Sequence, residues 1–363
     1  MHIAKFINRL GVFMRKERLY MLLLVFILLV NVLIALPPSM KGKARKDKQT
    51  VTSVKAEREG KSRSEEGLFM KREEVEKILQ EKKILALIFS LTSLLILAIL
   101  LLGIVIDAIL VSLKLSRKRL DIQTNKVGVI RWNMWDVAKV VILFLFFGYV
   151  IIIIESMLSG IFPILKDDNF RMIINSTVLD ILSVVFILYF TVGQYKEKIV
   201  SLGLSLKDFF KNVFYGIAGY IATVPILAAV LTVLALIINF TKYVPAKQPV
   251  VELFLKEQNP AFLAYTSVFA AVVGPIIEEL FFRAFMYSAL KKYIGIFWAM
   301  FITASIFAVL HTNLVGFLPI MVLGIALAYL YEKTGNLVSS ITLHIMHNFS
   351  MVSFVFLMKQ FTV

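Results

Sequence analysis

Apolar runs long enough to cross a hydrocarbon core recur along this chain, and they restrict its fold more than any other feature. A span needs roughly 20 apolar residues, and runs of about that size are expected at 21–36, 84–113, 137–158, 172–193, 213–240, 262–290, 296–310, 317–331 and 337–357. The runs at 296–310 and 317–331 are the shortest. Of the 363 residues, 59% are hydrophobic, above the roughly 45–50% of a soluble domain, so the surplus needs lipid as its solvent. The expected fold class is all-α: a polytopic transmembrane helical bundle of about nine spans (eight to nine), embedded in a lipid bilayer.

Charge lies between the runs. Lys and Arg number 40 against 24 acids, a net charge of +16. In a soluble protein that balance would suit nucleic acid. Here the bases flank spans, where the cytoplasmic bias and anionic headgroups account for them, and no nucleic-acid partner is expected. Lys5, Arg9, Arg15, Lys16 and Arg18 precede the first run, which reads as an uncleaved span because Ala35-Leu36-Pro37-Pro38 is a poor cleavage site. Bases recur at 114–139, 196–211 and Lys291-Lys292. With nine alternating spans these fall on one side with the N-terminus, so a cytoplasmic N-terminus in the cell membrane is expected. The charged loop 37–83 is also basic yet falls outside. Its length and mixed signs weaken its vote, and its Ser/Lys-rich part reads as disordered. The chain divides into a two-span region with that loop (1–113), membrane helices of unassigned role (114–259) and a chemistry-bearing part (260–357). Arg131, Trp132 and Trp135 read as an interfacial anchor. With no cysteine, disulfides and thiolate chemistry are excluded.

An ionisable residue within a span costs roughly 2.5–3.5 kcal/mol on insertion scales and so invites a functional explanation. Asp107, Glu155 and Asp180 each stand alone and read as structural or interfacial. The segment Gly274-Pro275-Ile276-Ile277-Glu278-Glu279-Leu280-Phe281-Phe282-Arg283 differs, because it puts two carboxylates and a guanidinium into one apolar helix. Glu279 and Arg283 are four residues apart and share a face, as a salt bridge requires. Glu278 points about 100° away, free to face a cavity and take a proton from water. Pro275 removes a backbone donor and loosens the helix ahead of the pair. The competing reading is an ion cluster that fixes packing. Phe307 and His311 follow at the same spacing, then His344 and Asn348. Together these supply a base, a water-positioning imidazole and donors for an oxyanion, the parts of an amide hydrolase. His347 neighbours that face less well, and would replace His344 only in another register.

Glu-Glu-x-x-x-Arg, Phe-x-x-x-His and His-x-x-x-Asn, in that order, resemble the CAAX protease and bacteriocin-processing family of glutamate-type intramembrane peptidases, which includes the Ras-converting CAAX endopeptidases. Gly335-Asn336-Leu337-Val338 before the last motif is also family-like, and the resemblance covers roughly residues 260–350. It implies that Glu278 and His311 activate water, that His344 and Asn348 form the oxyanion hole, and that Glu279, Arg283 and Phe307 support them. It implies a hydrophobic, membrane-associated or prenylated peptide as substrate, and no cofactor. Some CAAX endopeptidases carry Asn four residues after the second-motif His. Here Val315 stands there, with Asn313 nearby, which weakens prenyl specificity more than peptidase chemistry.

Three other readings compete. A zinc peptidase would draw on Glu278, His311 and His344, although no His-Glu-x-x-His helix is present. A proton-coupled transporter would use the same buried groups but calls for paired discontinuous helices. The third is an immunity or scaffold protein without turnover. The topology is testable at once, since no native cysteine interferes. Ser116→Cys should resist an impermeant thiol reagent added outside and react once the membrane is opened; labelling from outside would invert the topology.

Overall fold

The computed structural model describes residues 16–35, 82–118, 121–125, 130–243, 249–311 and 314–362. All but Lys82 and Lys83 of the charged loop 37–83 lie outside these residues, as do Lys5, Arg9, Arg15, Arg119 and Asn313. The described residues form helices and no strand. In order these are α1 (Arg18–Ala35), α2 (Lys83–Leu115), α3 (Met134–Leu158), α4 (Asp168–Leu188), α5 (Phe209–Thr241) and the short α6 (Pro249–Lys256). There follow α7 (260–294), α8 (296–310), α9 (Leu314–Thr334) and α10 (Leu337–Thr362).

Local chemistry sets several of these boundaries. Asn133 caps α3 by accepting from Trp135 N at 2.8 Å, while Asp136 reaches back to Asn133 N at 3.0 Å, a reciprocal capping box. Asp167 caps α4 through Phe170 N at 2.7 Å. Asn259 caps α7, with Pro260 at the first helical position, where its missing N–H costs nothing. The long run Pro260–Leu310 would rise about 75 Å as one straight helix, far more than a ~30 Å hydrocarbon core. It breaks at Gly295, whose φ of 78° and ψ of 173° are open to glycine alone. α7 and α8 are therefore separate spans. Seven helical runs among the described residues are long and apolar enough to cross a membrane. The break at Gly295 and the 18-residue apolar α1 bring the count into line with the expected eight or nine.

The bundle is dry inside and apolar outside. Trp132, Phe285, Tyr287, Phe307, Tyr331 and Leu337 are fully buried, whereas Leu, Ile and Val side chains along α1 and α2 are exposed. In water that surface would aggregate; in lipid it is the required one. α1 packs on α3, α2 on α5, and α8 on α9; α10 lies against α5, α9 and α7. Trp132 is not the interfacial anchor expected. It stacks on Phe285 and donates its indole N–H to the Phe285 carbonyl at 3.1 Å, because that carbonyl lies in a widened turn of α7 that a buried donor can reach. Glu155 is not alone either. It is buried and accepts from Arg171 at 3.2 Å and Asn175 at 3.1 Å, so the next helix supplies the partner that neighbouring sequence could not show.

The cytoplasmic or outer position of each end is a matter of orientation, but one end carries a polar strap. Thr124 and Asn125 both donate their backbone N–H to the Thr334 carbonyl, and Asn212 accepts from Thr124 and Ser339 at 2.8 and 2.9 Å. The strap fixes the α9–α10 turn and with it the angle at which α10 enters. α10 then meets α5 at Gly216, where a Cβ would lie 2.4 Å from Thr342 and 2.6 Å from the Ser339 carbonyl. Gly216→Val should cost about 1–3 kcal/mol by overpacking and lower the melting temperature in detergent. Gly160→Val, with nothing within 4 Å, should leave it unchanged. Equal melting of both variants and the parent protein would refute this packing.

Candidate active site

The carboxylate pair sits on α7 between two widened turns. Residues Phe269–Val273 and Leu280–Tyr287 adopt π-helical hydrogen bonding, with Gly274–Glu279 α-helical between them. Such bulges gather at functional sites because they re-aim side chains without ending the helix. The first has a local cause. Gly274 N–H bonds back to Phe269 O, so the next donor in that pattern would serve Ala270 O, and that residue is Pro275, which has no N–H. The orphaned Ala270 carbonyl is instead met by Asn348 Nδ2 of α10 at 2.9 Å. The loosening expected of Pro275 thus has a structural partner that its own helix could not reveal.

Glu279 is the buried centre. Its side chain is 0% exposed and that of Arg283 2%, and Arg283 Nη1 lies 2.8 Å from Glu279 Oε1. The contact is an ion pair that does not meet hydrogen-bond geometry, and Glu279 Oε2 takes no hydrogen bond among the described residues. The guanidinium lies over the Phe307 ring at 4.7 Å, a cation–π contact strengthened by the absence of water. It also donates to Gly324 O of α9 at 3.4 Å. One ion pair therefore ties α7 to α8 and α9.

His344 joins the same carboxylate. Its Nδ1 is 3.0 Å from Glu279 Oε1 and its Nε2 is 3.5 Å from Glu278 Oε2. The Glu279 contact meets hydrogen-bond geometry, whereas the Glu278 contact is an ion-pair distance only and leaves Glu278 Oε2 buried without a hydrogen bond among the described residues. Glu278 differs from its neighbour in exposure, its side chain being 33% accessible. A buried, paired Glu279 and an accessible Glu278 are what the 100° offset between adjacent helical residues predicts.

Phe307 links the histidines. Its ring centroid is 5.7 Å from His344 and 4.6 Å from His311. His311 follows the end of α8, is exposed, and bonds through Nδ1 to the Phe307 carbonyl at 2.8 Å. A carbonyl only accepts, so Nδ1 carries the hydrogen and Nε2 presents its lone pair. His347 packs edge-on to Tyr220 at 6.4 Å, so His344 is the residue in register with the acids. The structure thus brings Glu278, Glu279, Arg283, Phe307 and His344 into direct contact. His311 is reached through Phe307, and Asn348 is held on α7 one bulge before the acids. Asp180 of α4, expected to be structural or interfacial, lies within electrostatic reach of Glu278. Among the described residues no three His, Cys, Asp or Glu are grouped to hold a metal ion.

Comparison with known proteins falls on the same stretch. Residues 260–350 match the family model described as type II CAAX prenyl endopeptidase Rce1-like. A Bacillus subtilis (strain 168) protein named "Putative membrane peptidase YdiL" is 33% identical over 81 residues, which are 22% of this chain and 33% of that protein. The matched stretch thus spans a third of that relative's length. No solved structure matches.

The pair at the centre makes a stability prediction. Glu279→Gln leaves Arg283 buried without its counter-charge, and breaking such a pair costs roughly 3–5 kcal/mol. Its melting temperature in detergent should fall. Glu279→Gln with Arg283→Gln should recover part of the loss, because the unpaired charge is gone. A single variant that melts with the parent protein would show that the pair does not anchor the bundle.

Proposed function

We propose that residues 260–350, which are similar to an Rce1-like CAAX prenyl endopeptidase model and to a putative membrane peptidase, belong to the CAAX protease and bacteriocin-processing family, and that this integral membrane protein is an intramembrane endopeptidase hydrolysing a hydrophobic, membrane-associated peptide. The observation that carries the reading is the division of labour in the acid pair. Glu279 is fully buried and held by Arg283 and His344, while Glu278 beside it keeps a third of its side chain accessible and turns only Oε2 into the buried side of the site. A packing cluster would bury both acids. A hydrolase needs one of them to meet water.

Glu278 takes a proton from water, the oxygen attacks the peptide carbonyl carbon, and the proton passes to the departing amine as the C–N bond breaks. His311, with an Nε2 lone pair, assists at the water. His344 and the second carboxamide hydrogen of Asn348 meet the negative charge on the carbonyl oxygen. Glu279 and Arg283 hold His344 in place, and Phe307 spaces the two imidazoles. In this reading 260–357 is the catalytic part, attached to helices at 114–259 and a two-span region at 1–113. The N-terminus is cytoplasmic in the cell membrane. Prenylated substrates are less favoured, since Val315 occupies the position of the Asn found in some CAAX endopeptidases.

Purified protein should cleave a quenched hydrophobic peptide in detergent. Glu278→Gln keeps the side chain's size and should slow single-turnover cleavage by roughly 10²–10⁴ with little change in melting. Cleavage should survive dialysis against a chelator. A fully active Glu278→Gln would end the hydrolytic assignment, and loss restored only by zinc would replace it with a metallopeptidase.

A further inference from the structure

Asp180 has no place in that scheme, yet its surroundings are specific. On α4 it lies seven residues after Ile173 and seven before Ile187, both buried. Seven residues are close to two helical turns, so Asp180 projects from the face that α4 turns inward. Thr177, one turn earlier on that face, shares a 2.8 Å hydrogen bond with Tyr265 of α7, which aims the face at α7. α4 also packs against Gly274–Glu279, the turn that carries the acid pair. The Asp180 carboxylate lies close enough to Glu278 to feel its charge. It is half-buried, and none of the hydrogen bonds or ion pairs identified among the described residues involves it.

The substrate has a matching need. A peptide must be extended to be cleaved, and an extended backbone inside a membrane carries N–H groups with neither water nor a helix to satisfy them. The site must supply acceptors. Around the acid pair the Ala270 carbonyl is taken by Asn348 and the Gly324 carbonyl by Arg283. Asp180 remains open. Resting on the peptidase reading, we infer that Asp180 is a substrate-binding residue, accepting a backbone N–H of the extended peptide beside the bond attacked by the water that Glu278 activates. A carboxyl oxygen accepts an N–H whether or not the group is ionised, and the bond sets the register of the peptide without exchanging a proton.

The test pairs enzyme variants with N-methylated peptides, each of which lacks one backbone N–H. Cleavage is measured for parent protein, Asp180→Asn and Asp180→Leu. Binding is measured in parallel with reduced-amide versions that cannot be cleaved. Asp180→Leu should raise KM by about 10- to 100-fold while kcat changes far less and melting is unchanged. Asp180→Asn keeps an acceptor oxygen and should fall between. One N-methyl position should weaken the parent protein by a similar factor and have no further effect on Asp180→Leu. Asp180→Leu with unaltered KM, or no N-methyl position that separates it from the parent protein, overturns the inference while cleavage by the parent leaves the peptidase reading standing. Asp180-dependent binding without cleavage would do the reverse, and neither binding nor cleavage would remove both.

Discussion

Glu279 Oε1 is the atom on which the site is built. It lies 2.8 Å from Arg283 and 3.0 Å from His344 in a space closed to water. A carboxylate cannot stay ionised in such a place without close counter-charge and hydrogen bonds. The neighbours are arranged accordingly: Arg283 rests on Phe307 and reaches Gly324 O, and His344 turns one ring nitrogen inward. Three helices are thereby held around a single charge. The cost of that charge is high, so its partners admit few substitutes.

The same arrangement explains why Glu278 is available. Because Glu279 supplies the counter-charge to the guanidinium, the adjacent acid is not drawn into that pair and keeps a third of its side chain accessible. His344 stands between them, with one nitrogen toward each. A rigid, buried ion pair thus carries the positioning, and a neighbouring group one helical step away is left to do chemistry. Preorganised polar groups shielded from water act more strongly than the same groups in water, and Phe307 and Phe282 lie against the Arg283 guanidinium.

Backbone irregularity is concentrated where it is used. Two widened turns flank the acids on α7. Pro275 frees a carbonyl that α10 takes up through Asn348, so a defect in one helix becomes a bond between two. Gly295 ends α7 and lets α8 return, which carries Phe307 and His311 back toward the acids. The strap on Thr334 and the close approach at Gly216 fix how α10 lies. The outer helices α1 and α2, by contrast, present apolar faces that need only lipid.

The amino-acid sequence by itself determined the solvent, the helical class and the approximate number of spans, because apolar runs of that length cross lipid as helices that satisfy their own hydrogen bonds. It also determined the Glu279–Arg283 pair and the separate direction of Glu278, since both follow from helical spacing within one segment. Only the tertiary structure decided which histidine meets the acids, because His344 and His347 differ by less than a turn and the choice depends on how α10 is set against α5 and α7. It alone placed Trp132 in the core and gave Glu155 its partners. It alone brought Asp180 within electrostatic reach of Glu278, since a residue almost a hundred positions away in the chain comes near only when α4 packs on α7. Spacing along one helix is local and can be read; the meeting of two helices is settled by the side chains of both.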